Sequence, residues 1–202
     1  MPYDVAVIGS GVIGRSCAWR LAQAGRRIAI IDPFPASGAS YVAAGMLAPV
    51  TEAAYGEEEL VALALRSAQA WEGFAAELEE EAGLPTGYRR SGTLLVGADS
   101  SDRSHLEELY GFHKVLGLPS ELVGPSRARE LEPLLAPSNR GGIFAAGDAQ
   151  VDNRRLLSAL NTANARHGVV DFPSTALGLM MDGTRAVGVR TIDGDLAADA
   201  VL

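Results

Sequence analysis

The chain has 202 residues, 48% of them hydrophobic, and carries 17 Lys and Arg against 25 Asp and Glu, a formal net charge of −8. That apolar content excludes a chain disordered by composition, and at roughly 150 residues per domain the length allows one or two domains. The negative balance speaks against a non-specific nucleic-acid binder, which needs clustered cations, and the single cysteine, Cys17, excludes an internal disulfide and a multi-thiolate zinc site.

His105, His113 and His167 show no metal-ligand spacing, so no metal is expected. No run approaches the roughly 20 apolar residues of a membrane helix, and Val5 to Ile8 is too short for a signal core. A soluble protein of a reducing, cytoplasmic compartment is expected.

Tyr3 to Gly9 reads as a buried strand through its apolar run Val5-Ala6-Val7-Ile8. Val12 to Ala24 repeats small and apolar residues at helical spacing and ends at Gly25, a C-cap glycine. Ile28 to Ile31 is a second strand, stopped by Asp32-Pro33. Strand, glycine loop, helix and strand in about 30 residues predict a parallel pair joined by a right-handed crossover.

Phe34 to Val50 is expected to break that rhythm with a small-residue stretch in place of a further short helix and strand. A long helix follows from about Glu57 to Ala82, with Leu60, Leu63, Ala64, Ser67, Trp71, Phe74 and Leu78 as its apolar face. Glu57 to Glu59 suit its N-terminal dipole, whereas Glu79 to Glu81 oppose it and read as a solvated face. Arg89 to Gly97 reads as a strand, with Arg89-Arg90 a surface pair at its end. Ser101 to Leu116 reads as a helix with His105 and His113 on a solvated face, and Pro125 to Leu131 as a helix capped by Ser126.

Gly141 to Ala146 reads as a strand, and Asn153 to His167 as a helix capped by Asp152 or Asn153 and ended by Gly168. From Ser174 to Leu202 three strand-like runs are punctuated by Asp182-Gly183 and Asp193-Gly194, both hairpin signals. Ala198 to Leu202 looks like the start of a buried strand, so the expectation is a truncated chain, the N-terminal part of something longer.

Gly9-Ser10-Gly11-Val12-Ile13-Gly14 is a G-x-G-x-x-G sequence between a buried strand and a helix. The first glycine permits the tight turn, the second lets backbone approach a pyrophosphate, and the third allows close helix–strand packing. Unpaired N–H groups and the positive dipole end then face the phosphates. Asp32 ends the second strand, where a carboxylate can accept bonds from ribose hydroxyls. The pattern points to dinucleotide binding over a glycine-rich structural turn. Small residues from Ala36 to Leu47 let backbone amides reach a second phosphate or a flat ring, which favours FAD over NAD. A loop of small residues that merely packs closely is the alternative.

The glycine motif, Asp32 and the run Ala39-Ser40-Tyr41-Val42-Ala43-Ala44-Gly45-Met46-Leu47-Ala48-Pro49 together resemble the FAD-dependent amino-acid oxidases, the D-amino-acid oxidase family. Within them they resemble most the glycine oxidase branch of thiazole (thiamine) biosynthesis. Arg90 to Val96 is similar to that family's substrate-domain strand, and Gly147 to Asp152 to its return to the FAD domain. The resemblance implies an α/β fold: an FAD-binding Rossmann-type domain with an inserted α+β substrate-side segment. It places the first part of the FAD-binding domain at 1–87, the β-rich substrate side at 88–146 and the incomplete return at 147–202.

FAD is the implied cofactor. Gly9, Gly11 and Gly14 form its phosphate loop; Val12 and Ile13 would offer backbone to the pyrophosphate, and Asp32 with Pro33 would border the adenosine ribose. Asp32 departs from the glutamate common in flavin enzymes. Ala39 and Ser40 would sit near the phosphates; Ala44, Gly45 and Met46 beside the flavin ring; Ala176 against the adenine; Ala48 near the substrate entrance. The implied reaction is hydride transfer from the Cα of glycine, a small amine or a D-amino acid to the flavin, then reoxidation by O₂ to peroxide. No catalytic acid or base is named, because the substrate-clamping arginine of the family belongs to its C-terminal half. The 202-residue chain alone is therefore expected to be inactive.

Implied partners are a small amino acid or amine, O₂, a second copy in a homo-oligomer and a hand-off to thiazole synthesis, with no nucleic acid and no membrane. Competing readings are a D-amino-acid dehydrogenase or sarcosine-type oxidase, an inactive FAD-fold fragment or assembly module, and an NAD-binding regulatory domain.

Overall fold

The computed structural model describes residues 3–35 and 37–202. In chain order the elements are β1 (Tyr3–Ile8), α1 (Val12–Gln23), β2 (Ile28–Ile31), α2 (Ala39–Val42), β3 (Met46–Leu47), α3 (Glu58–Ala82), β4 (Thr93–Val96), α4 (Ser100–Val115), β5 (Glu121–Val123) and α5 (Pro125–Leu131). They continue with β6 (Gly142–Ala145), β7 (Ala149–Gln150), α6 (Asn153–Arg166), β8 (Val170–Phe172), β9 (Ala176–Asp182), β10 (Arg185–Thr191) and β11 (Gly194–Val201). The chain divides into two compact units. The first gathers the residues up to Ala44, Ala75–Gly87 and Asp152–Leu202; the second gathers Gly45–Phe74 and Tyr88–Val151.

The first unit is built on a six-stranded sheet of order β8-β2-β1-β11-β10-β9. Its first four strands run parallel, and β10 and β9 add as an antiparallel meander. All four residues of β2 are buried, as a strand covered on both faces requires. The period of 2 divides them: Ala29 and Ile31 pack with Ala6, Val189, Leu196 and Ala198, whereas Ile28 and Ile30 pack with Val7, Ala18 and Ala22 of α1. The Asn164 amide of α6 donates to the Arg15 carbonyl of α1 at 3.0 Å, binding the two helices. The second hairpin turns on Ile192-Asp193, with Gly194 already paired to Thr191, so Asp193-Gly194 sits one residue later than a central turn pair.

The second unit holds a three-stranded antiparallel sheet, β4-β6-β5, and the two-stranded ribbon β3-β7. Its core joins Val50, Ala53, Val61, Phe112, Leu118 and Ala145.

Several sequence expectations are corrected. The stretch after Asp32 does hold a short helix and strand, α2 and β3, because Gly38 in extended conformation starts a single helical turn. The face of α3 is turned by about one residue. Leu60 and Leu63 are 57% and 56% exposed, while Val61, Ala75, Leu78 and Ala82 are buried at i+3/i+4 multiples. Glu79 and Glu81 are not a solvated face: Glu79 accepts the Thr86 amide at 2.7 Å, and Glu81 accepts the Trp19 indole N–H at 2.9 Å. Gly124, with Pro125 at N1, caps α5 instead of Ser126.

His105 is exposed, but His113 is fully buried, with Nδ1 3.0 Å from Ser120 Oγ and Nε2 without a partner. Burial pushes its pKa down, against the opposing pull of the Asp148 carboxylate. A buried neutral imidazole contributes its full stability above the ordinary histidine value of about 6.5. That stability is lost as pH falls from there through the lowered folded value. His113→Gln is therefore expected to flatten the decline in thermal midpoint between pH 7 and pH 5. Equal slopes in the variant and the parent would refute it.

Candidate functional site

The turn between β1 and α1 is set by Gly9 at φ 101°, a left-handed conformation that favours glycine. A Cβ on Gly14 would stand 2.1 Å from the Gly9 carbonyl oxygen, and one on Gly11 would stand 3.0 Å from Ser40 Oγ. The second and third glycines are thus held by space and the first by backbone conformation. Arg15 N–H donates to the Gly11 carbonyl at 3.0 Å and closes the first helical turn.

The N–H groups of Val12, Ile13 and Gly14 precede any intrahelical acceptor. Val12 N–H donates to Ser40 Oγ at 3.0 Å, and α1 has no side-chain cap at Gly11. The start of α1 is therefore an amide-lined, electropositive cradle. Ile13 beside it is 78% exposed. Ser40 is positioned in turn by Asn153, whose amide donates to the carbonyls of Ser40 and Tyr41 at 2.8 and 2.7 Å.

Asp32 lies at the end of β2, as its sequence position predicts. Its Oδ2 accepts the Ser10 amide and hydroxyl, both at 2.8 Å, and its Oδ1 accepts the Phe34 amide at 2.9 Å. A carboxylate offers about four lone-pair sites, so one remains for a hydroxyl donor. Partial burial raises its pKa, but the bonds from Ser10 and Phe34, with the Arg15 charge, outweigh that and hold it below the usual carboxylate range.

Sequence reasoning missed Ser10. It gives the residue no role of its own, whereas its hydroxyl ties the loop to Asp32. It also missed Asn153, read only as a possible cap; Asp152 is the cap, accepting from Arg154 and Arg155. Nothing local in the sequence marks Asn153 as the residue that pins α2.

Gly9, Gly11, Val12, Ile13, Gly14, Asp32, Pro33, Ala39, Ser40, Ala44 and Ala176 all fall in the first unit. Pro33, Ala39 and Ala44 are exposed, and Ala176 opens β9 half-buried. In the second unit Gly45 has φ 76°, and Met46 is half-exposed and paired with Gln150. Ala48 is 3% exposed. Among the described residues no group of His, Cys, Asp and Glu could hold a metal ion, and no helix is long and apolar enough to cross a membrane.

The model of the FAD dependent oxidoreductase family, DAO, matches residues 4–202. The chain belongs to that family. It is 33% identical to the glycine oxidase of Geobacillus kaustophilus over 202 residues, covering 99% of this chain and 53% of the relative. The crystal structure of glycine oxidase from that organism superposes with a TM-score of 0.91, covering 99% of this chain and 54% of that one. The glycine oxidase structure from Bacillus cereus is 29% identical with a TM-score of 0.89, covering 98% of this chain and 55% of that one. A bifunctional ThiO/ThiG protein of Trichormus variabilis is 31% identical over 203 residues, 98% of this chain and 30% of that one. The chain thus spans about half the length of the glycine oxidases it matches.

FAD is the cofactor of the family, and the site fits it. The glycines let the turn close tightly, since a Cβ on Gly14 or Gly11 would crowd the Gly9 carbonyl or Ser40 Oγ. The Ile13 and Gly14 amides at the helix start have no intrahelical acceptor, and Asp32 keeps one acceptor site. Asp32→Asn substitutes an NH₂ donor for one oxygen and sets it against the donors of Ser10 or Phe34. An FAD affinity lower by about tenfold is expected. The ionised carboxylate contributes its stability above about pH 4, and that contribution is lost as pH falls through the lowered folded pKa. The variant should lack this part of the acid limb. Fluorescence titration with FAD and urea unfolding from pH 6 to pH 2.5 check both, and unchanged affinity would refute the role of Asp32.

Proposed function

We propose that the chain is the FAD-holding part of an oxidase that deaminates glycine, a small amine or a D-amino acid. The product is the imine, then the 2-oxo acid and ammonia, with O₂ reduced to H₂O₂, and the imine serves thiazole formation in thiamine biosynthesis. The observation that carries this reading is the Asp32–Ser10 clamp behind an amide-lined glycine cradle. Likeness to glycine oxidase across nearly the whole chain supports the substrate class, and likeness to a ThiO/ThiG protein supports the thiazole connection.

When bound, FAD supplies the acceptor for the hydride that leaves the substrate Cα. The residues of this chain bind and orient. The backbone of Val12 and Ile13 at the start of α1 would hold the pyrophosphate, where the Val12 N–H now donates to Ser40 Oγ, with Ala39 and Ser40 near the phosphates. Asp32, next to Pro33, would take a ribose hydroxyl. Ala44, Gly45 and Met46 would pass beside the flavin ring, Ala176 would meet the adenine through its backbone, and Ala48 would lie near the substrate entrance. Residues 1–87 and 147–202 serve the cofactor and 88–146 the substrate side.

The visible spectrum of the natural full-length protein, recorded anaerobically before and after glycine, tests the reading. A flavin band that bleaches is the expected result. A flavin band indifferent to glycine would move the substrate to another amino acid or amine. Absence of any flavin band would overturn the reading. The alternative, a D-amino-acid dehydrogenase or sarcosine-type oxidase, is favoured if the reduced protein passes electrons to a dye and consumes no O₂.

A further inference from the structure

The ribbon β3-β7 has two faces, and only one carries Met46. Met46 pairs with Gln150 and Leu47 with Ala149, while Arg89 bridges to Gln150 on the other side of β7. Directly paired residues share a face and neighbours along a strand alternate. Met46, Gln150 and Arg89 therefore lie on one face, and Leu47, Ala149 and Arg90 on the other. The Arg89-Arg90 pair, read from the sequence as one surface feature, is split across the ribbon.

The face that carries Arg90 closes a cavity of about 350 Å³, lying wholly within the second unit. Leu47, Val50, Leu65 and Ala149 give it an apolar floor. From α3 the positions 65, 68, 69 and 72 line it at helical spacing, apolar at Leu65 and Ala68 and polar at Gln69 and Glu72. Trp71 and Tyr88 form an aromatic wall, their rings nearly parallel at 4° with centroids 6.3 Å apart. Arg90 and Glu72, of opposite charge, are both exposed, and neither has an ion-pair or side-chain hydrogen-bond partner among the described residues. Asp148 also lines the cavity, but its carboxylate is already engaged by Val50 and Thr51.

We propose that this cavity is a second binding site, on the ribbon face opposite Met46, for a free amino acid with an apolar or aromatic side chain. The unpaired guanidinium takes the carboxylate in its planar fork. The unpaired carboxylate of Glu72 and the aromatic faces take the ammonium. The floor takes the side chain. A volume at the lower end of small-molecule sites suits an amino acid and not a nucleotide. Because Met46 faces the other way, occupancy of this site leaves the chemistry of that face untouched by direct contact.

The test uses the FAD-loaded full-length protein, with calorimetric titrations of L-phenylalanine, 3-phenylpropionate, which lacks the ammonium, and phenethylamine, which lacks the carboxylate. L-phenylalanine is expected to bind at least about tenfold more tightly than either analogue, without shifting the flavin band. Arg90→Gln should weaken it by about tenfold or more, and Glu72→Gln by several-fold. Since Arg90 and Glu72 are exposed and unpaired, both variants should keep the parent's thermal midpoint. No saturable binding, binding insensitive to Arg90→Gln, or binding that perturbs the flavin band and competes with substrate would each overturn the proposal.

Discussion

Replacing Gly14 by alanine is expected to destabilise the protein by about 3 kcal/mol and to yield a product without bound flavin. The sign is opposite to intrinsic propensity, since alanine in place of glycine inside a helix ordinarily gains about 0.5–1 kcal/mol. The new Cβ would stand 2.1 Å from the Gly9 carbonyl oxygen and 3.2 Å from Val7 Cγ1, so backbone itself must yield. Gly9 is fixed by its own N–H bond to the Ile31 carbonyl at 2.9 Å. Relief therefore comes by lifting the start of α1 off β1, which carries the amides of the phosphate cradle with it. Gly73→Ala in α3 is the control, because nothing lies within 4 Å of a Cβ there and its φ is ordinary. It should be neutral or slightly stabilising. For a protein of this size the Gly14 loss lowers the thermal midpoint by about 6–12 °C, and a Gly14→Ala protein that purifies yellow with a parental midpoint would refute the packing argument.

The first unit was legible because its signals are local. An apolar run with no polar break, three glycines at fixed spacing and an acid at the next strand's end each impose their own conformation. Asp152 announces α6 in the same way, by accepting from Arg154 and Arg155. Where the structure departs from the reading, a distant partner decides. His113 looks solvated because it shares α4 with the exposed His105, but it lies on the side of buried Leu106, where Ser120 and the core around Phe112 bury it. Glu79 and Glu81 look solvated at a helix end because Thr86, Trp19 and His167 lie elsewhere in the chain. The stripe on α3 was misplaced by about one residue because leucines at 60 and 63 fit helical spacing as well as Val61 and Leu65 do. Periodicity finds the helix, and only the surfaces it meets choose the face.

The candidate site divides on the same line. Motif positions such as Gly9, Gly11, Gly14 and Asp32 have geometry that the turn and the strand end dictate. Ser10 was invisible because its role requires Asp32 to sit behind it, 22 residues on. Asn153 was invisible because its acceptors are 112 and 113 residues away. Arg90 could not be separated from Arg89 until the pairing of Arg89 with Gln150 fixed which face each takes.

Asp148→Ala is expected to have the other large effect, a loss of about 3–5 kcal/mol. Asp148 is fully buried; its Oδ1 accepts the Val50 amide at 3.2 Å, and its Oδ2 accepts the Thr51 amide at 3.1 Å and the Thr51 hydroxyl at 2.7 Å. Thr51 is itself buried, so truncation leaves three donors with neither protein nor bulk water to meet them. Those donors hold the segment that follows β3, and β3 is short: two residue pairs join it to β7. Freeing Val50 and Thr51 thus loosens the segment that carries Gly45 and Met46. Asp148→Asn retains one acceptor oxygen but turns an NH₂ group toward N–H donors, so an intermediate loss is expected, and it should exceed that of Thr51→Val, which removes one bond and keeps the volume. Urea unfolding of the three variants ranks them, and hydrogen exchange at residues 45–51 should rise most in Asp148→Ala. If Asp148→Ala unfolds with the parental midpoint, or if exchange rises equally throughout both units, the carboxylate does not hold that segment.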